Sequence, residues 1–165
     1  MKNQLPYCKT SEAIKGYETS VIAKNETNDC VVRSIASAFD IEYEESHKFV
    51  ANTFGRKPRK GTGGFVLGMN KISDEGIRIG NKCCIIMGEQ FSNSPYYILD
   101  YKVKVKGVEV SRKMTVGTFI KQNPKGSYVI CVSRHAFTIK DGVIIGNRED
   151  AMKKKRIIHF AWKVI

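Results

Sequence analysis

NDCVVRSIASAF, residues 28–39, reads as an amphipathic helix with a cysteine in its first turn. Asn28 or Asp29 can cap it, while Val32, Ile35, Ala36 and Phe39 recur on one face at helical spacing. Cys30 therefore falls where unpaired backbone N–H groups and the positive end of the helix dipole favour an anion. A thiol that ordinarily titrates near about 8.5 can drop to roughly 3.5–7.5 in such a place, above all beside an imidazolium. The candidate imidazolium is His135, far downstream in SRHAFTIKDGVIIGN, residues 133–147. The thiolate is the attacking species in cysteine chemistry. A cysteine is as often a small buried hydrophobe, and the downstream histidine is what favours the reactive reading.

Working outward, the 165 residues, 42% of them hydrophobic and 27% charged, suffice for one core and are too few for two typical domains. A single domain spanning residues 1–165 is expected. The opening MKNQLPYCKTSEAIKGYE lacks the apolar centre of a secretory signal, and no run approaches the roughly 20 apolar residues of a membrane span, so the expected location is the cytoplasm. Five cysteines without CxxC or Cys/His ligand spacing indicate neither a disulfide framework nor a zinc site, and no cofactor is expected. The net charge of +12 is unevenly placed: residues 1–54 hold 6 of the 28 basic and 8 of the 16 acidic side chains. The excess gathers in GRKPRKGTGG (Arg56, Lys57, Arg59, Lys60), in KVKVKG (Lys102, Lys104, Lys106) and in Lys153, Lys154, Lys155 and Arg156. Each run alone reads as a solvated surface; together they admit an acidic partner or nucleic acid, with Lys153 to Arg156 the candidate contact. The interleaved aromatics of a single-strand platform are absent.

Helices come first and strands later. DIEYEESHKFVANTF, residues 40–54, reads as a second helix carrying Tyr43, Ser46 or His47, Val50 and Phe54 on one face. Residues 64–72 suit a short third helix, and residues 77–87 and 96–110 look extended, the latter as an edge strand with lysines outward. Thr115 opens a short helix that Pro124 and Gly126 end. Residues 127–133, 136–140, 143–146 and 156–164 complete a mostly antiparallel sheet. Within it Cys83, Cys84, Cys131 and Trp162 read as core, and His159 as outward-facing. GTGGF lacks the context of a phosphate loop, so no nucleotide is assigned. The hairpin after His135 admits two registers. A three-residue loop at 140–142 sets Asn147 opposite His135, where it could hold the imidazole; a two-residue Asp141-Gly142 turn sets Arg148 there instead. Glu149 and Asp150 are weaker substitutes for Asn147.

The order of cysteine on a helix, histidine at a strand start and asparagine across a hairpin resembles the papain-like cysteine peptidase superfamily. NDCVVRSIASAF is similar to the nucleophile helix of ovarian-tumour-type deubiquitinases and of peptidases that process bacteriocin leaders, and KGSYVICVSRHAFTIKDGVIIGN to their histidine strand and hairpin. The chain further resembles small cysteine-peptidase-like proteins of bacteriophages and mobile elements. The resemblance implies an α+β fold with N-terminal helices packed on a mostly antiparallel sheet. It also implies Cys30 as nucleophile, His135 as general base and acid, and Asn147 as orienter. The glutamine that such enzymes carry ahead of the cysteine is missing from AKNETNDC. Asn25 is then the candidate oxyanion donor, with Asn28 the alternative. The expected activity is thiol-dependent hydrolysis of a peptide or isopeptide bond in a protein or peptide substrate. Glutamine deamidation or acyl transfer uses the same site, and a basic binding protein without turnover is the reading from another class.

Overall fold

The computed structural model describes residues 4–62, 77–87, 89–90 and 97–165. The expected helix at 64–72 lies outside the described residues. The backbone is mixed α+β, and its main sheet has seven strands. In spatial order these are β1 (Tyr7–Lys9), β10 (Val143–Gly146), β9 (His135–Lys140), β8 (Ser127–Val132), β11 (Ile158–Val164), β3 (Lys82–Met87) and β2 (Ile77–Ile79). All neighbours are antiparallel except β1 and β10, which run parallel with Tyr7 beside Ile144.

Strand alternation sends each side chain of β8 to one of two cores. Val129 and Cys131 meet Val32, Ile35 and Phe39 of α3 (Cys30–Phe39), together with Val50 of α4 (Tyr43–Phe54). Tyr128, Ile130 and Val132 meet Val116 and Phe119 of α5 (Val116–Gln122) and Ala151 of α6 (Arg148–Met152) on the opposite face. That two-sided burial is why SYVICV is an unbroken apolar run rather than an alternating one. Helices thus cover both faces, with the N-terminal α3 and α4 on one of them. Two short helices, α1 (Thr10–Ala13) and α2 (Val21–Asn25), precede α3.

One expectation is corrected. Residues 100–113 do not form an edge strand of the main sheet. They make a separate ribbon of β6 (Asp100–Val105) and β7 (Val108–Lys113), because Lys106 (φ 50°) and Gly107 (φ 83°) form a tight turn with both residues left-handed. A further antiparallel pair is formed by β4 (Glu89–Gln90) and β5 (Tyr97–Ile98). The last strand, β11, is interior, between β8 and β3, with a register shift between Ile158 and Phe160 that leaves His159 exposed. Trp162 is fully buried and stacks on Phe54.

Candidate active site

Cys30 is the first residue of α3, and Asp29 occupies the N-cap position. The Asp29 carboxylate does not cap the helix. Instead it accepts the Tyr43 hydroxyl (2.8 Å) and pairs with Arg33 (3.0 Å), which joins the start of α3 to α4. Polar contacts then lock α3 against β9, the strand that His135 begins. The Ser37 and Thr138 hydroxyls lie 2.6 Å apart, and Thr138 donates to the Ser34 carbonyl at 2.8 Å. All three residues are buried, so a slide of helix on strand would leave the Thr138 hydroxyl without its partners. The distance between Cys30 and His135 is held by that lock.

The hairpin takes the two-residue register. Val143 pairs with Lys140, and Asp141 (φ 49°) and Gly142 (φ 78°) form the turn. Asn147 therefore does not sit across from His135. It leaves the strand and becomes the N-cap of α6, with its side-chain oxygen accepting from Arg33 at 3.2 Å. The residue that meets His135 is Asp150, 2% exposed, whose Oδ2 lies 3.0 Å from Nε2 of the ring. The same oxygen accepts the Asn147 N–H at 2.9 Å and closes a capping box. Its other oxygen pairs with Arg156 at 3.3 Å, and Arg156 also donates to the Ser133 carbonyl. Gly146 makes the approach feasible, since a Cβ there would lie 2.8 Å from Asp150 Oδ2 and 2.9 Å from Phe137 Cβ.

With Nε2 engaged by Asp150, Nδ1 is the ring nitrogen left for the sulfur. Burial raises the Cys30 pKa, but hydrogen bonds from His135 and the Ala136 N–H, with the charges of His135 and Arg33, more than offset it, and the net shift is downward. Burial likewise opposes charge on His135, yet the Asp150 and Cys30 hydrogen bonds and their charges raise its pKa to about 9. These opposite shifts favour the charged thiolate–imidazolium form of the pair over its neutral form. The thiols of Cys8, Cys84 and Cys131 move the other way, each chiefly through burial; Cys84 rises to about 11 and Cys131 also feels the Cys30 charge. All five cysteines are unpaired.

The pair opens into a cleft of about 910 Å³ lined by Asn28, Thr62, Ser133, Asn147 and His159 among others. Asn25 is not part of that lining. Its amide is exposed and donates to the Val21 carbonyl at 2.9 Å, within α2. Asn28, at a left-handed φ of 55°, does line the cleft, with its amide 3.5 Å from the Arg59 carbonyl. One wall is pinned by a cluster that the charge pattern concealed. Arg56, read as a surface cation, is buried against Glu26, which also meets His47 (3.2 Å) and the Arg59 N–H (3.1 Å). These contacts tie residues 25–28 to residues 56–59.

Comparison of the chain with protein-family models, with curated proteins and with solved structures yields no match. The geometry alone carries the functional argument. Among the described residues no group of three His, Cys, Asp or Glu side chains is placed to hold a metal, and no helix is long and apolar enough to cross a membrane. Of the proposed nucleic-acid contacts, Lys153 pairs with Glu149 and Arg156 with Asp150. Sequence reasoning missed Arg156 as a partner of the site because it closes a lysine run. It ranked Asp150 below Asn147 although N-R-E-D carries the spacing of a capping box.

Proposed function

We propose that the chain is a papain-like thiol hydrolase acting on peptide or isopeptide bonds, with Cys30 as nucleophile, His135 as acid and base, and Asp150 as the orienting residue. The observation that carries this reading is the run of contacts from Cys30 through His135 to Asp150 at the head of α3, opening into a cleft. The Cys30 thiolate attacks the carbonyl carbon, and the oxyanion forms beside the Cys30 backbone N–H at the helix N-terminus and the Asn28 amide. His135, as imidazolium, protonates the departing amine and leaves an acyl thioester. Neutral His135 then takes a proton from water, whose oxygen attacks the thioester; the acid leaves and the thiolate returns. Asp150 fixes the ring orientation and stabilises its cationic form, the part a third residue plays in such sites.

Iodoacetamide mapping tests the nucleophile. Cys30 is expected to be alkylated first among the five thiols, at a pH below the ordinary thiol range, and His135→Ala should push that reactivity to higher pH. Faster labelling of Cys8 or Cys84 would remove the basis for an activated thiolate. Turnover should fall as pH rises through about 9, where His135 loses the proton that the leaving amine requires.

A further inference from the structure

The cleft that Cys30 opens into has a cationic lining. Lys60 stands on the wall that Arg56 anchors, and Arg134 on the turn between β8 and β9; both line the cleft, both are exposed, and neither has an ion-pair partner among the described residues. His159 also lines the cleft, and no carboxylate appears among the described lining residues. Arg33 also borders the cleft, but its charge is balanced by Asp29. Lys60 and Arg134 therefore leave uncompensated positive charge in the cleft that Cys30 lines, a recess whose walls concentrate the field.

We infer that the substrate is an acidic polypeptide, with Asp or Glu side chains flanking the scissile carbonyl and paired with Lys60 and Arg134. A polypeptide rather than a nucleic acid fits because the two cations share a cleft with the nucleophile, where only an acyl donor gains from being positioned. The Lys153–Lys155 run lies elsewhere, against α5, where the Lys154 carbonyl accepts the Gly117 N–H. Arg134 sits at a left-handed backbone position (φ 57°) in the β8–β9 turn. This inference rests on the thiol-hydrolase reading.

The test compares two tripeptide chloromethyl ketones of equal length, one with glutamates and one with lysines flanking the reactive carbonyl, each scored by the rate at which it alkylates Cys30. The glutamate probe should react at least ~10-fold faster at low ionic strength, with the advantage shrinking as salt is raised. Lys60→Gln combined with Arg134→Gln should bring the two rates to parity. Lys121→Gln with Lys125→Gln, the same loss of charge by way of residues flanking the end of α5, should preserve the preference. Equal rates on the unaltered protein overturn the inference while leaving the nucleophile intact. A preference abolished by either double variant alike overturns it too, since net charge would then be the cause. An oligonucleotide that slows both probes equally assigns the cations to nucleic acid and also overturns it. Failure of Cys30 to react even with iodoacetamide defeats the hydrolase reading and this inference together.

Discussion

Asp150 meets three groups with two oxygens: the His135 ring, the Asn147 N–H and the Arg156 guanidinium. Asp150→Asn keeps the shape but removes the charge that raises His135, so the imidazolium should lose its proton at lower pH and the thiolate its partner. Turnover is expected to fall about 100-fold or more, the scale of a positioned acid–base group, and the alkylation profile of Cys30 to move to higher pH. Asn147→Ala removes an N-cap and one Arg33 contact, so it should cost about 1 kcal/mol in urea unfolding and leave the pH profile in place. If Asn147→Ala shifts the profile and Asp150→Asn does not, the orienting role belongs to Asn147. Cys30 and His135 were legible in the sequence because helix spacing and strand pattern fix where each begins. The third member was not, because a one-residue difference in turn length changes which side chain follows the histidine round.

At the scale of elements, β10 and α6 meet where only glycine fits. A methyl group on Gly146 would press on Asp150 Oδ2 and Phe137 at once, and neither can yield, one being held by three partners and the other packed in the core. Gly146→Ala should therefore lower both the melting temperature and Cys30 reactivity, which parallel thermal and alkylation measurements would reveal. The buried Glu26–Arg56 pair makes a second element-level case. Its hydrogen bonds and the Arg56 charge outweigh burial and hold the Glu26 carboxyl down to about 2 from 4.5. The stability it contributes is present above the unfolded value and is lost as pH falls towards about 2. Glu26→Gln should cost about 3–5 kcal/mol near neutrality, by leaving Arg56 buried without its counter-charge, and should flatten stability across the acid range. Urea titrations at a series of pH values would show both effects. The sequence displayed Arg56 only as one of several cations in GRKPRKG, since pairing across 30 residues leaves no local periodicity. The β6–β7 ribbon was hidden differently: a Lys-Gly turn is a weaker hairpin signal than Asp-Gly, and a valine stripe reads alike in a ribbon and in a sheet edge.

Across the whole molecule, the central sheet separates two cores, and the candidate site draws on the α3 side for its nucleophile and on α6 for Asp150. Phe119, fully buried on α5 and edge-on to Tyr128, belongs to the core on the sheet face away from α3. Phe119→Ala should cost about 3–5 kcal/mol in unfolding free energy while the protein that remains folded labels at Cys30 as before. A proportional loss of labelling in the folded fraction would mean that the cores are less independent than the sheet implies. The α+β class and helices followed by strands were legible because hydrophobic period is local. The crossing of β11 into the sheet interior was not, because strand order depends on which cores close rather than on any one segment. The separation of Cys30 from His135 along the chain also has a temporal meaning. At roughly 5–20 residues per second on the ribosome, the thiol is made on the order of ten seconds before the imidazole proposed to activate it. During that interval a nascent chain carries only an ordinary cysteine. Ribosome-stalled chains ending before residue 135 should accordingly show no enhanced alkylation, so a newly made molecule is chemically silent until its own completion arms it.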